Sequence, residues 1–176
     1  MKKNLAFTFL VLSLAACQQK EIRNKQLEYV DLQGFFSAEA SRLNAQKPKV
    51  LKTVGINQKS EQKLLKKTID WEKELSVFKE ADINKPAFKG MYQISKLPNK
   101  TLYTSLNKKN LVQRIEVDWN LAKKPSGIRI FQLTKNMIYC ATDTLSYYPD
   151  SIYSIHKKQE VRVLGTTVYT IEGKFN

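Results

Sequence analysis

Histidine and cysteine are scarce in this 176-residue chain, which has one histidine, His156, and two cysteines, Cys17 and Cys140. Zinc sites need clustered histidine, cysteine or carboxylate ligands, so we predict no metal site and no cofactor. The chain also lacks a phosphate-binding glycine loop, a G-x-S-x-G nucleophile motif and an H-E-x-x-H motif. We therefore predict no catalytic residue and a non-enzymatic protein.

Acidic residues are few as well: 16 Asp and Glu stand against 30 Lys and Arg, for a formal net charge of +14. Glycine (6) and proline (5) are also scarce while 42% of residues are hydrophobic, which argues against disorder and favours one domain with a real core. The cationic excess favours anionic partners such as phospholipid head groups or acidic glycans. The alternative is that the lysines only keep the surface soluble.

The first residues have the layout of a secretory signal peptide. A basic start, Met1–Asn4, precedes the apolar stretch Leu5–Leu14, which is shorter than the roughly 20 residues that span a bilayer. The next residues complete Leu14-Ala15-Ala16-Cys17, which resembles the lipobox of bacterial lipoproteins. That resemblance implies removal of residues 1–16, lipid attachment at Cys17 and a polar tether over 17–26. The alternative is an ordinary signal peptide followed by an incidental cysteine.

Export and lipid anchoring restrict the partners and the location that the sequence predicts. Lys2 and Lys3 precede Cys17 and no acid does, so the mature part keeps a charge of +12. An exported chain does not normally meet nucleic acid, so none is predicted as a partner. Resemblance to other lipoproteins implies the outer membrane, because Gln18 replaces the Asp that favours inner-membrane retention. The single acid in residues 18–21 favours the periplasmic face.

Residues 27–176 are predicted to form a single α+β domain. An apolar stripe from Tyr29 to Leu43 predicts a first amphipathic helix, and Asp70 is a good N-cap for a second that carries Trp71 and Phe78. Gly55–Ser60 between apolar runs predicts a hairpin, although Ser60–Lys67 also suits a helix. Seven β-like runs separated by turn residues then follow, with clear alternation in the third: Tyr92–Ser95, Thr101–Ser105, Leu111–Trp119, Ile128–Lys135, Met137–Leu145, Ile152–Lys157 and Val161–Ile171.

Short gaps between these runs permit only antiparallel neighbours. We therefore expect two N-terminal amphipathic helices packed on a curved antiparallel β-meander of about six or seven strands. This arrangement on a lipid anchor is similar to the half-barrel lipoprotein carriers and receptors of the outer-membrane sorting system. It also resembles many other small envelope lipoproteins of bacteria.

Three sets of side chains are candidates for function. The first is cationic and would contact an anionic surface: Lys63, Lys66, Lys67, Lys108 and Lys109. The second is an aromatic patch for stacking on sugars, with cross-strand packing as the alternative: Tyr147, Tyr148 and Tyr153. The third, for a hydrolase acting on envelope polymers, is the carboxylate pair Asp143 and Asp150. Cys140 is expected to be a buried, inert thiol, with a catalytic pairing to His156 as the alternative.

Three functions follow from these features. The first is a membrane-anchored envelope lipoprotein that binds an apolar or anionic envelope ligand. The second is a structural or assembly lipoprotein that docks to an envelope protein through a sheet edge or the tyrosines. The third is the hydrolase. The observation that best distinguishes these three functions is whether helix side chains cover the whole apolar face of the sheet or leave part of it open.

Overall fold

A computed structural model of the chain describes residues 27–65 and 69–176. The predicted signal peptide, Cys17, the tether, Lys66 and Lys67 lie outside the described residues. Within them, no helix has both the length and the apolar character needed to cross a membrane.

The described residues form three helices and nine strands. The helices are α1 (Leu32–Gln46), α2 (Trp71–Glu74) and α3 (Ser76–Glu80), and a 3-10 turn follows at Pro86–Phe88. The strands are β1 (Val50–Ile56), β2 (Lys59–Leu65), β3 (Tyr92–Leu97), β4 (Lys100–Ser105), β5 (Val112–Trp119), β6 (Pro125–Lys135), β7 (Tyr139–Tyr148), β8 (Ile152–Val161) and β9 (Gly165–Phe175).

All nine strands belong to one antiparallel sheet with the order β2-β1-β9-β8-β7-β6-β5-β4-β3. From β3 to β9 each strand pairs with the next along the chain. The hairpin β1–β2 joins at the far side, because β1 pairs with β9 from Val50 opposite Phe175 to Ile56 opposite Tyr169. The sheet edges are therefore β2 and β3.

The expected fold class, two helices on a curved meander of six or seven strands, is wrong. The described residues are mostly a nine-stranded antiparallel sheet with three short helices. The predicted number of strands is too low because the hairpin was not expected to join the meander. In the structure, β1 pairs with β9, and this pairing extends the sheet by two strands. The second predicted helix is also interrupted: it breaks at Leu75 into α2 and α3.

Local capping explains where the helices begin. The Asp31 carboxylate accepts a hydrogen bond from the Gly34 N–H at 2.7 Å, so α1 starts at Leu32 rather than at Tyr29, where the predicted apolar stripe begins. Asp70 caps α2 in the same way through the Lys73 N–H, at 3.1 Å. In α1 the predicted apolar stripe is buried: Leu32, Phe36, Ala40 and Leu43.

One face of the sheet, here called the inner face, meets the helices in the hydrophobic core. Phe36 of α1 packs edge-on against Tyr147 of β7 at 5.3 Å between ring centroids, and Trp71 of α2 packs against Tyr153 of β8 at 6.1 Å. The opposite, outer face carries charged residues. There Glu116 accepts from Arg129 at 2.5 Å and from Arg114 at 3.0 Å. The outer face is therefore a network of paired charges.

Candidate functional site

The predicted tyrosine patch does not lie together on the surface. Tyr147 and Tyr153 are directly opposite each other on β7 and β8 and are fully buried under the helices. Tyr148 points to the outer face, where its ring lies against Gly127. The Tyr147 ring packs against Phe36 of α1, and the Tyr153 ring packs against Trp71 of α2.

Each buried tyrosine hydroxyl is paired with a glutamate from a helix. Tyr147 donates to Glu39 Oε2 at 2.5 Å, and Tyr153 donates to Glu74 Oε1 at 2.6 Å. Each glutamate also binds a cation, Arg42 at 2.8 Å and Lys52 at 2.6 Å respectively. Burial, followed by the hydrogen bond to a carboxylate, raises the pKa of Tyr147 and of Tyr153 well above the usual 10.0. These pairs join the helices to the sheet.

The raised tyrosine pKa values predict a loss of stability at alkaline pH. Because the folded-state pKa is raised, the contribution is fully present below pH 10.0, the unfolded value, and is lost as pH rises beyond it. Above pH 10.0, each of the two tyrosines should lower the free energy of unfolding by about 1.4 kcal/mol for every pH unit, because only its unfolded form loses the proton. Urea denaturation at stepwise pH measures this.

Tyr147→Phe removes one titrating group and should make the decline shallower, and Tyr169→Phe, on the half-exposed part of β9, is the matched control. An unchanged slope in Tyr147→Phe would contradict the assignment.

The three candidate lysines that the structure describes do not converge. Lys63 is exposed on β2, whereas Lys108 and Lys109 lie in the turn before β5. Five strands separate β2 from β5, which at the usual strand spacing is about 29 Å. These residues therefore do not form one anion-binding cluster.

The candidate catalytic pairs are not assembled either. Asp143 lies within β7, while Asp150 is in the turn beyond the end of that strand and pairs with Arg42 at 2.7 Å. Cys140 is partly exposed, not buried as expected. It lies opposite Glu160, while His156 lies opposite Thr144 and approaches Glu172 at 3.5 Å. Within residues 27–65 and 69–176, no three His, Cys, Asp or Glu side chains gather as metal ligands.

Part of the inner face is left open beyond the helices. We call this region the open strip; it comprises Val54, Ile56, Ile155, Tyr169 and Ile171. The register places Val54 opposite Ile171 and Ile56 opposite Tyr169, so their side chains lie side by side on β1 and β9. Val54, Ile56 and Tyr169 are 40–51% exposed.

The open strip continues directly from the hydrophobic core. Along one row of the inner face, Leu145 is buried, Ile155 and Ile171 are half-buried, and Val54 is exposed. Exposure rises because α2 reaches only the neighbouring row, where Glu74 contacts Lys52 and Tyr153. An apolar surface therefore runs from beneath the helices to the edge of the sheet.

Charged groups border the open strip. Lys157 is opposite Tyr169 on the adjacent strand, and its Nζ lies 3.6 Å from Asp143 Oδ2. The other carboxylate oxygen, Asp143 Oδ1, is buried and has no hydrogen-bond partner in the described residues. At the hairpin, Lys59 and Glu61 stand on β2 opposite Ile56 and Val54. The strip thus joins an apolar surface to polar groups at its margins.

A second concavity lies at the opposite end of the sheet. It measures about 590 Å³ and is lined among others by Tyr103, Trp119, Lys96 and Lys123. The Trp119 indole N–H is already used, since it donates to Thr101 Oγ1 at 2.9 Å. Two exposed leucines, Leu97 and Leu121, also line this concavity, together with polar residues that include Asn99 and Asn120.

Sequence reasoning missed the open strip. Val54 lies in the predicted hairpin and Tyr169 in the last predicted run, 115 positions apart in the chain. The sequence predicted each segment as a β run, but it carries no signal that the two runs pair.

Comparison with models of protein families, with curated proteins and with solved structures finds no match for this chain.

Proposed function

We propose that this protein is a non-enzymatic envelope lipoprotein, anchored through lipid on Cys17, that binds the apolar chain of an amphipathic envelope ligand on its open strip. The observation that carries the proposal is the row of exposed aliphatic and aromatic side chains that extends the core on the inner face. Binding sites for such ligands are mainly apolar surfaces with a few placed polar groups. The expected location is the periplasmic face of the outer membrane.

The margins of the strip favour a ligand with an acidic or hydroxylated head. Lys157 supplies a cation beside Tyr169, and the unpartnered Asp143 Oδ1 accepts a hydrogen bond from a donor that reaches it. Lys59 adds positive charge next to Ile56. A fatty acyl chain that lies along Val54 and Ile171 would contact the apolar part of the surface, and its head group would contact one of these charged margins.

Serine substitutions in the open strip should weaken binding of a fluorescently labelled fatty acid. Burying one aliphatic side chain against a ligand contributes about 1.5–3 kcal/mol, so Ile56→Ser should weaken binding about tenfold or more. Fluorescence titration of the full chain measures the dissociation constant. Leu97→Ser is the matched control, since Leu97 has a similar exposure but lies on the edge strand β3, where it lines the second concavity; weaker binding in Leu97→Ser alone would assign the ligand to that concavity.

Equal affinity in Ile56→Ser, Leu97→Ser and the unchanged chain would reject the open strip as the site. Lipid extraction and native mass spectrometry of the purified protein provide an independent check, because a bound ligand should be recovered with the unchanged chain and depleted in Ile56→Ser.

A second candidate function is docking to an envelope protein through a sheet edge. Among residues 27–65 and 69–176, no strand pairs with the outer edge of β2, and all but one of its seven residues are exposed. Lys59 and Lys63 on this strand are of the type that discourages non-specific pairing of edges. Crosslinking in cells from a reactive group placed at Gln62 would identify a partner, and a monomer without crosslinks counts against this function.

A further inference from the structure

One end of the sheet gathers four of its turns. Because the strands run up and down, the turns at 57–58, 106–111, 136–138 and 162–164 all lie at the same end. We call this the turn end. Two of its turns contact each other, since the Arg162 N–H donates to the Ile138 carbonyl at 3.0 Å.

The turn end carries apolar side chains where turns are usually polar. Met137, Val163 and Leu164 are 85–91% exposed, and Ile138 and Leu106 are each about two-thirds exposed. Single exposed apolar residues are common on protein surfaces and need no explanation. Here, however, two neighbouring turns place four of them together, and the turn that contains Leu106 lies at the same end.

The charge of the turn end is positive. None of the residues in these turns is acidic, and the cations in or next to them are Lys59, Lys108, Lys109, Lys135 and Arg162. Acids near the turn end include Glu28, which accepts from the Gly90 N–H at 3.1 Å, and Glu160, which is paired with Lys158 at 2.8 Å. Apolar tips surrounded by cations complement a surface that has an apolar interior and anionic head groups.

The first residues that the structure describes, Leu27 and Glu28, also lie at this end. The Glu28 carboxylate accepts from the Gly90 N–H at 3.1 Å, and Gly90 directly precedes Met91. The Met91 carbonyl in turn accepts from the Leu106 N–H at 2.9 Å, which places Leu27 and Glu28 beside the turn end. Nine residues, 18–26, separate Leu27 from Cys17, and they reach at most about 30 Å.

We propose that the turn end docks on the anionic phospholipid surface of the membrane that holds Cys17. The apolar side chains of the turns enter the interface, and Lys108, Lys109 and Arg162 contact head-group phosphates. The sheet then stands on the membrane with its opposite end in solution. The inference shares the lipid anchor with the proposed function but does not depend on the open strip.

A fluorescent probe at the turn end tests this orientation. Full-length lipidated protein carrying Cys140→Ser and Leu164→Cys is labelled with an environment-sensitive dye and reconstituted into phosphatidylglycerol-containing vesicles. We expect the emission to rise, to shift to shorter wavelength and to be quenched by lipids that carry spin labels on their acyl chains. Leu121→Cys, fully exposed in a turn at the opposite end, is the matched control and should keep the spectrum found in water.

Two further arms complete the test. Lys108→Glu with Lys109→Glu should lower the response at Leu164→Cys, as should replacing phosphatidylglycerol by phosphatidylcholine. Identical spectra at the two positions, on vesicles with which the protein still floats, would overturn the docking while leaving the anchor intact. A response that depends on protein concentration and not on lipid would overturn it in favour of contact between copies of the chain. Failure to float would count against the anchor itself and, with it, the proposed docking.

Discussion

Gly173→Ala is expected to destabilise the protein by about 3 kcal/mol, which is the upper part of the usual range for overpacking a core. A Cβ at position 173 would lie 2.0 Å from Tyr153 Cε1 and 2.2 Å from Cζ. The Tyr153 ring has no room to move, because Trp71 and Phe175 pack against it and its hydroxyl is bound to Glu74. Urea denaturation measures the change in the free energy of unfolding.

Gly55→Ala is the matched control for this substitution. Gly55 is buried on the adjacent strand β1, but its added Cβ would meet nothing nearer than 3.4 Å, so the change should be far smaller. If the ring is the cause, Gly173→Ala should cost little in a Tyr153→Ala background, which a double-mutant cycle reveals. The same cost in both backgrounds would show that the ring is not responsible.

Cys17→Ser is expected to abolish incorporation of radiolabelled palmitate. The substituted residue is the one whose sulfur is proposed to carry the lipid, and serine has no thiol to form the thioether. Loss of lipid should also leave an unprocessed precursor of larger apparent mass. Both results are measured by labelling cells and immunoprecipitating the protein.

Cys140→Ser is the control, because Cys140 lies within the sheet on β7 and should have no part in lipidation. Labelling should persist in Cys140→Ser. Continued labelling in Cys17→Ser would reject the lipobox interpretation and, with it, the anchored orientation proposed for the turn end.

Local features of the fold were predictable because local forces produce them. Asp70 caps α2 through an N–H group three residues away, as predicted. Asp31 caps α1 in the same way, but it was not predicted. The seven predicted runs overlap strands β3 to β9, since neighbouring antiparallel strands need only a turn and an apolar side.

The candidate site was not predictable in this way. Its two halves meet only because β1 pairs with β9, and that register depends on how the whole sheet packs. The burial of the tyrosines was equally unpredictable from the sequence. Tyr147 and Tyr148 are adjacent in the chain, yet Tyr147 lies in the core and Tyr148 lies on the outer face. Which of them is buried depends on the strand register, which turns Tyr147 towards α1 and Tyr148 away from it.

By itself, the sequence determined the approximate positions of strands β3 to β9, the Asp70 cap of α2 and the surplus of positive charge. These follow from side-chain period, turn chemistry and composition, which act over a few residues. Only the tertiary structure decided that the hairpin extends the sheet to nine strands, that Val54 and Ile56 lie beside Tyr169 and Ile171, and that four turns gather at one end. The physical reason is that pairing between distant segments is selected by the packing of the complete core, and no local pattern in the chain records it.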